Sequence, residues 1–243
     1  MEPDEYRLMD DAEDRLWWYR GLHANLLDAF ALAHVPAGTA LLDAGCGTGG
    51  LLRRLASVAP DRSRIGLERV ESVAARAREK SGALVVVGTV DAMPFPDACF
   101  GAIFSADVLY HLNVDPARAV REAFRCLRPG GSLLVNVPAF EWLSSYHDRR
   151  VHGARRFTRR GLARLLAEAG FAGVAARYWN SLLFPVMVAR RLRPGAASAA
   201  SDVAMPGPWT DRLLDAALRL ERGCLRRGMR FPAGGSVLAV ASK

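Results

Sequence analysis

LLDAGCGTGG, residues 41–50, is the stretch whose reading decides the fold. Two apolar residues and Asp43 read as the end of a strand. Glycines at 45, 47, 49 and 50 then interrupt any regular repeat, and LLRRLA resumes as a helix. Gly45 and Gly47 permit positive φ and let a ligand lie against main chain where a Cβ would collide. The N–H groups of the new helix's first turn are expected to meet an anionic group, and Asp43, at the strand's carboxyl end, to accept from a cationic one. A ligand carrying both an ammonium and a carboxylate suits this turn.

Outward from that turn the pattern alternates: strand 40–43, helix 50–58, strand 64–68, helix 70–80, strand 83–88, then the Pro-rich GTVDAMPFPDACF and strand 101–105. Helix 115–127, with Asp115 as N-cap and Pro116 behind it, leads through Pro-Gly-Gly into strand 132–137. Helix 158–169, strand 173–178, an amphipathic helix 209–227 and strand 236–241 complete the chain. Such alternation predicts an α/β fold with helices on both faces of a parallel sheet and ligands at the strands' carboxyl ends. Those ends carry Asp43, Glu68, Asp91 just beyond its strand, and Ser105 with Asp107.

Gly45, Gly47 and Gly50 also satisfy the GxGxxG of a dinucleotide site, but a carboxylate at Asp43 repels a pyrophosphate. Glu68, 25 residues after Asp43, suits ribose hydroxyls, and Asp91 an exocyclic amine. An adenosine joined to an amino acid satisfies all three positions.

Before the first strand, residues 10–33 show a helical repeat, with Trp17, Trp18, Tyr19 and Arg20 too crowded to share one core face. After strand 132–137 a long loop gathers Trp142, Tyr146, His147, Asp148, His152, Arg155 and Arg156. Loops of this length in an ordered domain tend to be functional. SLLFPVMVARR is expected to be a buried helix in preference to one at a membrane surface, and 193–208 a linker. The expected division is a helical cap at 1–36, a core at 37–178, a helical insertion at 179–230 and the core's last strand at 231–243.

The net charge of +8 comes from arginines spread through the chain, since lysine stands only at Lys80 and Lys243; nucleic acid is not the expected partner. Four separated cysteines indicate neither a zinc site nor a disulfide framework. An acidic N-terminus and the lack of a membrane-length run suggest a cytoplasmic location.

LLDAGCGTGG, IGLE, GTVDAMPFPDACFGAIFSADVLYHL and LRPGGSLLVNVP together resemble the motifs of the class I S-adenosylmethionine-dependent methyltransferases across residues 41–138. A bacterial subgroup with an aromatic N-terminal helix is similar over nearly the whole chain, although Leu16 stands where its members carry a histidine. The resemblance implies a Rossmann-like, seven-stranded, mostly parallel sheet with helices on both faces and an antiparallel last strand. It implies Asp43 at the methionine amino group, Gly45, Cys46 and Gly47 along methionine and ribose, and Glu68 on the ribose diol. Asp91 would hold the adenine N6 with Ala92 and Met93 beside the ring and Arg69 stacked on it, and Ser105 would border the methyl group.

Methyl transfer from a sulfonium needs alignment and exclusion of water, not a metal. Where a proton must leave the acceptor, His147 is the expected base, followed by His152 and Tyr110. Trp18, Tyr19, Arg20, Tyr146, Arg155 and Arg156 are the expected acceptor contacts. The expected activity is transfer of a methyl group to an oxygen or nitrogen of a small molecule, natural product, sugar, peptide or lipid-linked acceptor. A noncatalytic S-adenosylmethionine sensor or partner subunit is the alternative.

Overall fold

The computed structural model describes residues 3–144, 153, 155–192 and 207–243. Two helices, α1 (Pro3–Ala12) and α2 (Trp17–Leu32), precede the sheet. Then follow β1 (Ala40–Ala44), α3 (Gly50–Val58), β2 (Arg64–Glu68), α4 (Glu71–Ser81), β3 (Leu84–Val87) and β4 (Phe100–Ala106). The chain continues with α5 (Pro116–Cys126), β5 (Leu127–Pro138), α6 (Arg159–Glu168), β6 (Ala172–Trp179), α7 (Phe184–Leu192), α8 (Pro208–Arg226) and β7 (Ser236–Ser242). The strands form one seven-stranded sheet in the order β3-β2-β1-β4-β5-β7-β6. Strand β7 runs antiparallel to both β5 and β6, and the other pairings are parallel. The expected Rossmann-like α/β architecture is present, with its antiparallel closing strand wedged between β5 and β6.

Apolar periodicity places helices on both faces. On one, Ala119, Val120 and Ala123 of α5 and Leu162 and Leu166 of α6 meet Leu42, Ile103 and Val135 of the sheet. On the other, Leu22, Leu26 and Ala29 of α2, Leu51 and Leu55 of α3 and Leu218 and Leu225 of α8 meet Leu41, Phe104 and Leu134. Each such leucine contributes about 2 kcal/mol on burial, so α2 is as firmly fixed to the sheet as any core helix.

Three expectations change. The repeat over 10–33 is two helices, because the chain turns at Glu13 to Leu16 and sends Glu13 and Leu16 inward, both nearly fully buried. The Pro-Gly-Gly turn lies within β5, whose pairing with β4 jumps from Leu127 opposite Phe100 to Ser132 opposite Ala102. The 180–191 segment is not a buried helix: Leu182 and Val186 are 40% and 57% exposed. It is held by Phe184, whose ring meets Phe140 and Trp142, by Leu183 packed against the α2-side core, and by Glu221, which accepts from the Ser181 and Leu182 N–H groups. Among the described residues no helix is long and apolar enough to cross a membrane.

Candidate cofactor and acceptor site

The glycine turn has the conformation its sequence demands. Gly45, Gly47 and Gly49 have φ of 86°, 52° and 91°, where an L side chain is strained. The N–H groups of Gly45 and Cys46 donate to the Leu67 carbonyl at 2.8 and 3.0 Å, clamping the turn to β2. A Cβ on Gly47 would stand 2.7 Å from Met9 Cε, so α1 lies directly over the turn.

Acidic groups converge here. Glu68 Oε2 accepts from the Gly47 N–H at 3.1 Å and Oε1 from the Val70 N–H at 3.1 Å. The Tyr6 hydroxyl donates to Oε1 at 3.5 Å. Burial pushes the Glu68 pKa up even though these donors favour its ionised form. The Tyr6 phenol is pushed up to about 12 by burial and by Glu68. Asp43, 2% exposed, is pushed up to about 8 by burial and by the charges of Glu13 and Glu68. Burial likewise raises the Cys46 thiol, which lines the turn as a neutral group.

Glu13 was not legible as a site residue. Its Oε1 accepts from the Gly50 N–H at 2.9 Å, and its Oε2 accepts from Thr48 Oγ1 at 2.6 Å and Lys80 Nζ at 2.8 Å. The expectation that an anionic ligand group takes the first turn of α3 is thereby corrected at Gly50. An unpaired N–H at a helix start attracts a carboxylate, and this chain supplies its own.

The loop that carries Asp91, Ala92 and Met93 is set from behind by Glu122 and Arg125. Met93 donates its N–H to Glu122 Oε2 at 2.8 Å, and Arg125 donates to the Met93 and Phe95 carbonyls at 3.1 and 2.8 Å. Met93 is buried, Asp91 half-buried and Ala92 exposed. Arg69, after β2, is exposed.

Between β4 and β5 a buried polar chain forms. Asp107, at φ 53°, donates its N–H to the Asn136 carbonyl at 2.9 Å and accepts at Oδ1 from Asn136 Nδ2 at 3.0 Å. Asn136 Oδ1 accepts in turn from Trp179 Nε1 at 2.7 Å. Ser105 is buried one turn of the pleat away, and Tyr110 is buried with its ring 4.3 Å from that of His111. Isolated bridges join His111 to Gly153 and Ala139 to Phe157, so the described ends of the long loop return to this edge of the sheet. Tyr146, His147 and His152 lie outside the described residues.

Three expected acceptor contacts have other partners. Arg20 donates to Asp215 Oδ1 at 2.9 Å and Asp211 Oδ2 at 2.7 Å, tying α2 to α8. Arg155 donates to the Val114 carbonyl at 2.7 Å and Arg156 to the Ala139 carbonyl at 3.1 Å. Loop carbonyls that no strand or helix satisfies need donors, and these guanidinium forks supply them. Trp18 stacks on Trp179 at 6.3 Å and meets Tyr19 edge-on at 5.0 Å. Phe140, at φ 57°, stacks on Tyr178 at 5.2 Å and approaches Trp142 at 5.8 Å, which forms an aromatic wall beyond β5.

A sheet of this order, with a glycine turn after β1, an acid ending β2 and a polar pair between β4 and β5, defines the class I methyltransferase fold. Residues 42–135 match the family described as "Methyltransferase domain". A probable S-adenosylmethionine-dependent methyltransferase of Mycolicibacterium smegmatis is 35% identical over 169 residues, covering 66% of this chain and 61% of that protein. A ubiquinone/menaquinone biosynthesis C-methyltransferase of an Enterobacter species is 34% identical over 125 residues, covering 47% and 49%. The chain therefore spans about half to three-fifths of the length of these curated relatives. The crystal structure of a methyltransferase from Thermotoga maritima, described as a possible histamine N-methyltransferase, superimposes with a TM-score of 0.60. It is 20% identical and the match covers 99% of this chain and 95% of that one, a likeness of fold. Residues 42–135 thus belong to that methyltransferase-domain family, and the chain as a whole has the class I methyltransferase fold.

Proposed function

We propose that this protein transfers a methyl group from S-adenosylmethionine to an oxygen or nitrogen of a small acceptor with an apolar body. The observation that carries the reading is the acidic turn itself: Asp43, 2% exposed at the end of β1, and Glu68, which accepts from the Gly47 N–H at 3.1 Å. A turn so crowded with carboxylates fits a cationic ligand, whose ammonium and sulfonium charges relieve the repulsion. Asp43 then serves the amino group and Glu68 the ribose diol, while Gly45, Cys46 and Gly47 give the backbone close approach. Asp91, Ala92 and Met93 border the adenine, with Arg69 over its face.

When bound, the cofactor would supply an electrophilic methyl group for in-line attack by the acceptor's lone pair, with the thioether S-adenosylhomocysteine as the leaving group. The chain's part is alignment and dryness. Asn136, fixed by Trp179, holds Asp107 beside Ser105 at the reacting end. The rings of Phe140, Trp142 and Tyr178 offer an apolar acceptor a flat wall at the same edge of the sheet. Trp18, stacked on Trp179, and Tyr19, edge-on to Trp18, belong to the core on the opposite face of the sheet from that wall. His147 is the candidate to take the acceptor's proton, and His152 and Tyr110 are the next candidates; a neutral imidazole has a suitable pKa. The named Enterobacter relative methylates carbon, and mass spectrometry of the product separates that outcome from the heteroatom reading.

Calorimetry with S-adenosylmethionine tests the cofactor site: Asp43→Ala is expected to abolish binding seen in the wild type. Equal affinity in the two, or no binding to the wild type, removes the reading. Turnover of isotopically labelled methyl into an acceptor distinguishes the enzyme from a sensor that only binds.

A further inference from the structure

Helix α8 spends one side on the protein. Leu218 and Leu225 are buried in the cluster shared with α2. Asp211 and Asp215 hold Arg20, Arg222 holds Asp28 at 2.6 Å, and Glu221 accepts from the N–H groups of Ser181 and Leu182 at 2.6 and 2.9 Å. At 3.6 residues per turn a second line, Trp209, Leu213, Ala216 and Leu220, faces away from all of these. Its large members are 79%, 71% and 65% exposed. Beside it runs a row of Arg212, Arg219 and Arg226 at heptad spacing. The Arg212 guanidinium lies 5.3 Å over the Trp209 ring, Arg219 also pairs with Asp215, and the Arg219 and Arg226 side chains are 74% and 65% exposed. Arg227 and Arg230, also exposed, continue the charge past the helix end.

A single exposed leucine is ordinary, but a tryptophan and two leucines on one helical line, edged by cations, form a surface suited to a partner. Asp211, Asp215 and Glu221 are turned toward α2 or the turn before α7; Arg219 reaches back to Asp215 and Arg226 lies 4.0 Å from Asp28, so arginines outnumber acids on the outer face. A second copy of the chain meeting this face through the same face would bring cations to cations. An anionic lipid layer offers phosphates for the arginines, an interfacial depth for the indole and an acyl region for the leucines.

We propose that the outer face of α8 docks the protein on membrane surfaces rich in anionic lipids. This inference does not depend on the cofactor reading. The test is sedimentation of the full chain with vesicles of phosphatidylcholine alone and of phosphatidylcholine mixed with phosphatidylglycerol. The wild type is expected to pellet with the mixed vesicles, less so at high salt, and to stay in solution with phosphatidylcholine alone. Partitioning is expected to fall by about tenfold or more in Trp209→Ser/Leu213→Ser/Leu220→Ser, which loses the inserted groups. Arg212→Glu/Arg226→Glu is expected to lose about tenfold through charge alone, with the circular dichroism of the wild type retained. Absence of wild-type binding to mixed vesicles overturns the proposal, as does unchanged partitioning of the charge variant. A wild-type dimer in light scattering that the serine variant dissociates, without vesicle binding, assigns the stripe to a second copy and also overturns it.

Discussion

Glu13 caps Gly50: the carboxylate of a residue in the N-terminal turn accepts the first N–H of helix α3 at 2.9 Å, 37 residues along the chain. The same carboxylate holds Thr48 and the nearly buried Lys80, so one side chain joins α1, the glycine turn and α4. Replacing it is expected to loosen all three. Glu13→Ala should lower the unfolding free energy by about 2–4 kcal/mol in urea titrations, because Lys80 then keeps only Asp10 and Asp14. Thr48→Ala removes one neutral donor and should cost about 1 kcal/mol.

Asp43 makes cofactor affinity depend on pH. A carboxyl with a pKa of about 8 is largely protonated at pH 6, and a cationic ligand favours the ionised form, so binding expels a proton. Affinity for S-adenosylmethionine is expected to rise from pH 6 to pH 8, by at most about tenfold per unit. Calorimetry in buffers of different ionisation enthalpy reads the proton directly, and a buffer-independent enthalpy at pH 7 contradicts it.

The same group sets a stability slope in the ligand-free protein. Its folded pKa lies above the unfolded value of 3.8, so its stabilising contribution is complete below about 4 and is lost as pH rises toward 8. Asp43→Asn is expected to remove that slope and stabilise the free protein at pH 7 by roughly 1–3 kcal/mol while weakening the cofactor. Thermal unfolding as a function of pH measures both.

His23 contributes the opposite slope. Burial pushes its imidazole down to about 3, so the folded state holds it neutral while the unfolded chain protonates it below about 6.5. Stability from this group is present above 6.5 and declines toward pH 3. His23→Gln is expected to flatten the acid limb of the stability profile, visible in urea midpoints between pH 6 and 4.

Asn136 bridges Trp179 and Asp107 inside the sheet edge, with no exposed surface. Asn136→Ala strands an indole N–H and alters the support of Asp107. It is expected to cost about 2–3 kcal/mol in denaturant and to lower kcat more than it changes the Kd for S-adenosylmethionine.

What the amino-acid order determined by itself is local. The alternation of elements, the positive φ of Gly45 and Gly47, the Asp115 cap that accepts from Ala117 and Arg118, and the Thr158 cap on Gly161 all depend on a few adjacent residues. Steric and hydrogen-bond rules act at that range, so the sheet and the acidic turn could be read before any coordinate. Partner choice could not. Arg20 has the chemistry to grip an acceptor, yet Asp211 and Asp215, more than 190 residues away, take it. Glu13 looked like one more acid of an acidic terminus until the fold brought it to Gly50. A side chain's charge is encoded in the sequence, but the group that neutralises it is chosen by tertiary proximity, and that choice set Glu13, held by Gly50, Thr48 and Lys80, apart from Asp43.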